Sequence, residues 1–247
     1  MNVIILAAGY ATRLYPLTLD TPKPLLKVGG KAILEHILDK VEEVKTVSEV
    51  FVITNDKFYS HFMDWKKSYG GALAVSVLND ETLSNEDRLG AVGDIDFVLQ
   101  TQKIDDDVLV IAGDNLFGFS LKRFVDFFRL EKSSVVALRD LEDVEKVRKT
   151  FGVALLDGTR IVDFEEKPVV PKSTLASTAC YLFSRGDLQM IPQLRREGKA
   201  DNSGDLVTWL VNHSCVRGFV FSEHWFDVGT IGLLEQADEM YRRGIIL

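Results

Sequence analysis

The chain opens Asn2-Val3-Ile4-Ile5-Leu6-Ala7-Ala8-Gly9-Tyr10-Ala11-Thr12-Arg13-Leu14-Tyr15-Pro16-Leu17-Thr18. Residues 3–6 form an apolar run with the length and composition of a strand buried in a parallel sheet. The run ends in Ala7-Ala8-Gly9, small residues that let backbone N–H groups approach a bulky anion. Arg13 follows, and Lys23 stands between Pro22 and Pro24, so fixed positive charge lies close to the same strand end. Ligands of open α/β sheets bind beyond the carboxyl ends of strands, and this combination has the anatomy of a polyphosphate site. A tight turn without a ligand would also use small residues; the two added cations argue against it.

Working outward, strand and helix periods alternate. Ile33, Leu34, Ile37, Leu38, Val41 and Val44 recur at helical spacing, and Val50–Thr54 reads as the next strand. Phe58, Phe62, Trp65 and Tyr69 mark the core face of a second helix. The pattern continues with a strand at 73–78, a helix at 89–100, a strand at 108–112, a helix at 121–130 and a strand at 135–138. Strands separated by helices imply right-handed βαβ units. The expected fold is therefore α/β, with a doubly wound, Rossmann-like, mixed but mostly parallel sheet covered on both faces. The second half changes character: 152–156 and 159–164 flank Asp157-Gly158 as a β-hairpin, and 174–184 reads as a long strand. Together they predict a small β subregion on the main sheet. No Pro/Gly/Ser-rich linker interrupts residues 1–247, which predicts one domain. The polar segment 79–88 exceeds an ordinary connection and is expected to be a functional loop.

With 37 acidic against 29 basic residues the formal charge is −8, which argues against nucleic acid or an anionic membrane as partner. The 46% apolar and 27% charged content is ordinary for a soluble globular chain. Cys180 and Cys215 lie far apart in apolar stretches, as buried free thiols do. No run approaches the ~20 apolar residues of a membrane span and no basic leader precedes the first strand, so a cytoplasmic location is expected. His36, His61, His213 and His224 do not pair at metal-ligand spacing, and Asp105-Asp106-Asp107 reads as a solvated turn. A homo-oligomer is compatible with all of this.

Two acids end apolar strands. Asp114 follows residues 108–113, and Asp227 follows His224-Trp225-Phe226 and precedes Val228-Gly229-Thr230. A carboxylate there caps a helix, pairs with a cation or binds a metal. For Asp227 a cap on the helix starting near Thr230 is one alternative, with Thr230 itself as a competing cap.

These residues also carry a resemblance. Leu6-Ala7-Ala8-Gly9-x-x-Thr12-Arg13-Leu14-x-Pro16-Leu17-Thr18 with Pro22-Lys23-Pro24-Leu25 resembles the signature of the sugar-1-phosphate nucleotidylyltransferases, of the glucose-1-phosphate thymidylyltransferase type. That family's fold is GT-A-like, and its signature wraps a nucleoside triphosphate. Relatives usually have a second glycine where this chain has Ala11. Gly113-Asp114-Asn115 is similar to the family's metal-binding Gly-Asp-Asn, and residues 225–230 to its Trp-x-Asp-x-Gly-Thr. The resemblance therefore implies that Asp114 and Asp227 hold Mg²⁺, an ion that takes one or two carboxylates plus phosphate oxygens and water. Glu165-Glu166-Lys167-Pro168 is similar to the motif whose lysine holds the acceptor phosphate and whose glutamate contacts sugar hydroxyls. Gly152-Val153 matches the strand under the sugar, with Thr178 and Tyr181 beside it and Asn115 nearby.

The resemblance thus assigns nucleotide contacts to Leu6, Ala7, Ala8, Gly9, Thr12, Arg13, Asn79 and Gly90. It assigns acceptor contacts to Asn115, Gly152, Glu166, Lys167, Thr178 and Tyr181. Residues 1–140 become mainly the nucleotide half and 141–247 mainly the acceptor half. Gly90 matches a glycine packed on the base, and Asn79 is expected to offer its amide to the base edge. Arg13, Lys23, Lys167 and the metal site would carry the reaction. A sugar 1-phosphate attacks the α-phosphorus of a nucleoside triphosphate, with dTTP or UTP and glucose 1-phosphate as the leading pair. The alternatives are a cytidylyltransferase for a phosphate such as phosphocholine, or a non-catalytic nucleotide-binding paralogue. Because Leu247 follows soon after the last expected helix, no repeat-built C-terminal domain is expected.

Overall fold

The computed structural model describes residues 1–198 and 201–244. In chain order the strands and helices are β1 Asn2–Leu6, β2 Lys27–Val28, β3 Lys31–Ala32, α1 Ile33–Val41, β4 Val50–Thr54, α2 Asp56–Ser68, β5 Val75–Asn79 and α3 Gly90–Thr101. Then come β6 Val108–Ala112, β7 Asn115–Phe117, α4 Leu121–Glu131, β8 Ser134–Asp140, α5 Val144–Val147, β9 Val153–Asp157 and β10 Arg160–Glu165. The chain continues through β11 Leu175–Phe183, α6 Arg185–Leu188, α7 Ile191–Arg196, α8 Ser203–His213, β12 Val216–Phe221, β13 Trp225–Asp227 and α9 Ile231–Arg242. The fold is mixed α/β, and its alternating elements match the periods read from the sequence. These elements divide between two compact units whose sequence ranges interleave.

The first unit comprises 1–89, 111–121 and 223–247. Here β1 pairs in parallel with β4, and β4 with β5; Leu6 lies opposite Ile53, and Thr54 opposite Asn79. In-register parallel strands end together, so the segments after residues 6, 54 and 79 emerge at one edge, where α/β sheets place ligands. Val3, Ile4, Ile5, Val50, Val52 and Ile53 are fully buried, which explains why these strands read as continuous apolar runs. Asn55 caps α2 by accepting from Phe58 N, and its amide donates to Ala8 O at 2.8 Å. Phe58 and Phe62 fill the core below it.

The second unit comprises 90–110 and 122–222. Its strands run in the order β11-β8-β12-β10-β9. There β8 and β12 are parallel, while β11 with β8, β10 with β12 and β10 with β9 are antiparallel. The mostly parallel character therefore belongs to the first unit. Asn202 stands at the N-cap of α8, and its N–H donates to Asp205 Oδ2 at 2.8 Å, the reciprocal half of a capping box. Cys180 is buried and free as expected, whereas Cys215 is only half-buried because it sits in the turn between α8 and β12. No described helix is long and apolar enough to cross a membrane.

Candidate active site

In the first unit β1 empties into a loop whose N–H groups are held in reserve. Ala7 N donates to Ile53 O at 2.8 Å. Among the described residues, the N–H groups of Ala8, Gly9, Tyr10, Ala11, Thr12 and Arg13 then find no protein acceptor. Ala11 adopts the left-handed conformation, φ 48° and ψ 41°, and a 3-10 turn over Thr12–Leu14 follows. A left-handed residue followed by right-handed ones folds successive N–H groups into an anion-binding concavity. Glycine is the cheap residue at such a φ, so Ala11 keeps the backbone shape that a glycine would take there. The polar loop emerges at the same edge. Asp56 N donates to Thr82 O at 3.1 Å, and the Tyr10 hydroxyl donates to that same carbonyl at 3.4 Å.

Asp114 and Asp227, far apart in sequence, meet because β7 and β13 form a two-stranded antiparallel pair with Asp227 opposite Asn115. Val228 N donates to Asp114 O at 3.2 Å, and the Trp225 indole donates to Asn115 Oδ1 at 3.0 Å. Gly113 is needed for the approach: a Cβ there would lie 2.8 Å from Leu6 O and 3.0 Å from Pro24 Cγ. Pro22 and Pro24 flank Lys23 in a 3-10 turn, and the lysine is 92% buried. Its Nζ stands 2.5 Å from Asp114 Oδ2 and 3.9 Å from Asp227 Oδ1. Arg13 Nη2 lies 3.8 Å from the position of a Cβ on Gly229, two residues beyond Asp227. Burial, then the neighbouring Asp114, push the Asp227 carboxyl above the usual carboxylate range, against the pull of Lys23 and Arg13. Thr230, accepting from Leu233 N at 3.3 Å, caps α9, so Asp227 is not occupied as a cap. Two converging carboxylates that Lys23 and Arg13 leave under-compensated fit the donor set of a hard divalent cation. No group of three or more metal-capable side chains occurs among the described residues.

In the second unit Glu166 and Lys167 follow β10. The Glu166 carboxylate lies in a slot made by two absent side chains. A Cβ on Gly152 would stand 2.9 Å from Glu166 Oε2, and one on Gly204 would overlap that oxygen. Burial raises the Glu166 pKa. Its neighbour Lys167 is half exposed, with Nζ 3.5 Å from Glu166 Oε1, and takes a left-handed backbone, φ 48°. The Tyr181 hydroxyl shares hydrogen bonds with Ser177 Oγ at 3.2 Å and Ser203 Oγ at 3.1 Å.

A nucleotidyl transferase family model matches residues 2–244, nearly the whole described chain. The chain belongs to the nucleotidyl transferase family. Its relatives include the bifunctional protein GlmU of Methanocaldococcus jannaschii, 29% identical over 242 residues that cover 93% of this chain and 51% of that protein. The mannose-1-phosphate guanylyltransferase of Mycobacterium tuberculosis is 30% identical over 234 residues, covering 93% of this chain and 61% of the relative. The chain thus spans about half to three-fifths of the length of these curated relatives. A Bacillus anthracis structure, provisionally described as a glucose-1-phosphate thymidylyltransferase in complex with a sucrose, superimposes with a TM-score of 0.81 at 26% identity. It covers 98% of this chain and 95% of that one. A UDP-glucose pyrophosphorylase in complex with UDP-glucose shares the fold, with a TM-score of 0.81 at 19% identity and 98% coverage of both chains.

Several residues that the family resemblance singled out already hold protein partners. Asn79 donates to Asp56 Oδ1 and accepts from Glu81 N, both at 2.8 Å, so each end of its amide has a bond within the loop. The acids of the polar loop fold it. Asp80 Oδ1 accepts from Thr82 N and Oγ1, and Asp87 accepts from Leu83 N, Ser84 N and Ser84 Oγ. Thr178 is buried and donates to Ala137 O at 3.0 Å, because β11 changes register between Ser177 and Tyr181. Asn115 is 98% buried and braces Trp225. Gly90 carries φ 74°, and a Cβ on it would lie 2.7 Å from Asp201 O, so glycine is required there by backbone geometry alone. Gly204, Ser203 and Asn55 were not singled out from the sequence. Only the Asn-x-x-Asp cap at 202–205 and the polar Thr-Asn step ending β4 flag them.

Proposed function

We propose that the chain joins a nucleoside triphosphate to a sugar 1-phosphate, releasing pyrophosphate and an NDP-sugar. The observation that carries this reading is the convergence of Asp114, Asp227 and Lys23 at the end of β1, beside a loop with unspent N–H groups, in a chain of this family. The acceptor needs no general base. A phosphate monoester has a second pKa near ~6 and is largely dianionic at neutral pH. Its oxygen attacks the α-phosphorus, the bridging bond to the β-phosphate breaks, and pyrophosphate leaves. The barrier to overcome is repulsion between two anions in an in-line approach.

Each residue then has a task. The N–H groups of residues 8–13 and the Arg13 guanidinium hold the β- and γ-phosphates and the departing pyrophosphate. Lys23 offsets charge growing on the α-phosphate, and Lys167 anchors the acceptor phosphate. Glu166, whose carboxylate lies in the space left by Gly152 and Gly204, accepts hydrogen bonds from sugar hydroxyls. Asp114 and Asp227 would hold Mg²⁺, which when bound supplies positive charge to both phosphate groups. Small-molecule partners also agree with the net charge of −8, and a cytoplasmic setting forms part of the proposal.

The test is pyrophosphate release across a matrix of four NTPs and several sugar 1-phosphates, with phosphocholine as control. Release with one sugar 1-phosphate in a Mg²⁺-dependent manner is the expected result, with dTTP or UTP and glucose 1-phosphate as the first pair to try. Nucleotide binding without any release would mark a binding protein instead, and release with phosphocholine alone would change the acceptor class.

A further inference from the structure

The phosphate loop carries a strained alanine, and a buried hydroxyl is placed against it. Thr18 is fully buried, and its Oγ1 donates to Ala11 O at 2.8 Å. The same carbonyl accepts from Leu14 N at 3.0 Å. Left-handed backbone is disfavoured for any residue with a Cβ, so Ala11 relaxes out of it unless surrounding contacts hold it. We infer that Thr18 is a positioning residue for the triphosphate: it pins the Ala11 carbonyl inward and so fixes the Thr12 N–H outward.

A trans peptide is planar, and its C=O and N–H point in opposite directions. The Ala11 carbonyl and the Thr12 N–H belong to one peptide plane. Anchoring the oxygen on a buried hydroxyl therefore turns the N–H towards the exposed side of the loop, where Gly9, Thr12 and Arg13 face solvent. Without that anchor the Ala11–Thr12 plane is free to rotate, and the concavity formed by the N–H groups of residues 11–13 is lost. With glycine at position 11 the left-handed conformation carries no such penalty, and the anchor becomes dispensable. Ala11 and Thr18 thus act as a coupled pair, an alanine that requires a clamp and a threonine that supplies it. This rests on the proposed function, since it names how that same site is kept ready for its nucleotide.

The test is a double-mutant cycle read by nucleotide binding. Calorimetry with the best NTP and Mg²⁺ is run on wild type, Thr18→Val, Thr18→Ser, Ala11→Gly and the Ala11→Gly/Thr18→Val pair. Thr18→Val keeps the shape and removes the bond; it should weaken NTP binding about ten-fold, the scale of one lost buried hydrogen bond. The NTP KM rises in step while the KM of the sugar phosphate stays put. Thr18→Ser should bind like wild type, and in the Ala11→Gly background Thr18→Val should cost less than about three-fold. Equal losses in both backgrounds, or no loss in Thr18→Val, overturn the inference. If Thr18→Val does not fold, wild type decides: titrating inorganic pyrophosphate should shift the Thr12 and Arg13 amide resonances, and unmoved amides overturn it. A wild-type protein that binds no NTP by calorimetry and releases no pyrophosphate in the matrix assay, by contrast, removes the functional reading itself and this inference with it.

Discussion

In the first unit Lys23 is buried and lies 2.5 Å from Asp114, whereas in the second Lys167 is half exposed and stands 3.5 Å from Glu166. Both are lysine–carboxylate neighbours, one brought together across 91 residues of chain and the other formed by adjacent residues. Their surroundings separate them. Lys23 sits against two aspartates, Asp114 in the turn before β7 and Asp227 at the end of β13, the latter with a carboxyl pushed up by burial and by its twin. Buried charges of this kind are costly unless compensated, so the first grouping is shaped to hold positive charge. Among the described residues Lys167 Nζ has one loose partner, Glu166 Oε1, and the Glu166 carboxylate occupies room left by two glycines. The second grouping is therefore the one proposed to offer an ammonium to an anion and a carboxylate to hydroxyls.

If that contrast is right, the two groupings must fail in different ways. Asp227→Asn has the largest expected effect, a loss of roughly 10³ or more in kcat that added Mg²⁺ does not restore. A mutant that keeps a normal Mg²⁺ titration of rate would erase the difference between the groupings. Lys167→Ala should cost roughly 10²–10³ in kcat/KM, the scale of one lost electrostatic partner. Its Mg²⁺ dependence should be intact, and near-normal rates would remove Lys167 from the site.

Gly204→Ala sharpens the comparison from the other side. The new methyl overlaps Glu166 Oε2, so the carboxylate must leave its slot. Because the atoms met are the end of a flexible side chain, the expected readout is a raised sugar-phosphate KM with an unchanged NTP KM rather than a large loss of stability. A change in the NTP KM instead would contradict the division of labour. The smallest effect concerns pH. The folded pKa of Asp227 is raised from 3.8 to about 6, so in this interval the native state binds more protons than the unfolded one. Stability contributed by this group is then greatest at low pH and falls as pH rises towards 6. In EDTA, wild type should lose Tm across that window more steeply than Asp227→Asn does; identical slopes would assign the effect to other groups.

How much of this was legible in the sequence depended on length and on chain distance. The run at residues 3–6 and the helix marked by Phe58 and Phe62 are long enough to show their periods, and both elements formed as read. Asp114 and Asp227 were visible singly as acids at strand ends. Their meeting was carried only by the family resemblance, because β7 and β13 are three residues each, too short for any period. The stretch 185–222 went unread because α6 and α7 are only four and six residues long and Gly204 interrupts the start of α8. Nothing in an alanine announces a left-handed backbone, so the state of Ala11 appeared only with coordinates. The direction of the Thr178 hydroxyl was not legible either: the register shift in β11 aims it at Ala137 O, which simple alternation along a strand does not reveal.

The first grouping is the proposed cation site. Its most direct test is Mn²⁺ binding, followed by electron paramagnetic resonance, to wild type and Asp227→Asn in the presence of a non-hydrolysable NTP analogue. The prediction is one Mn²⁺ per wild-type chain and at least about ten-fold weaker binding in the mutant. Equal affinity in the two proteins would contradict it.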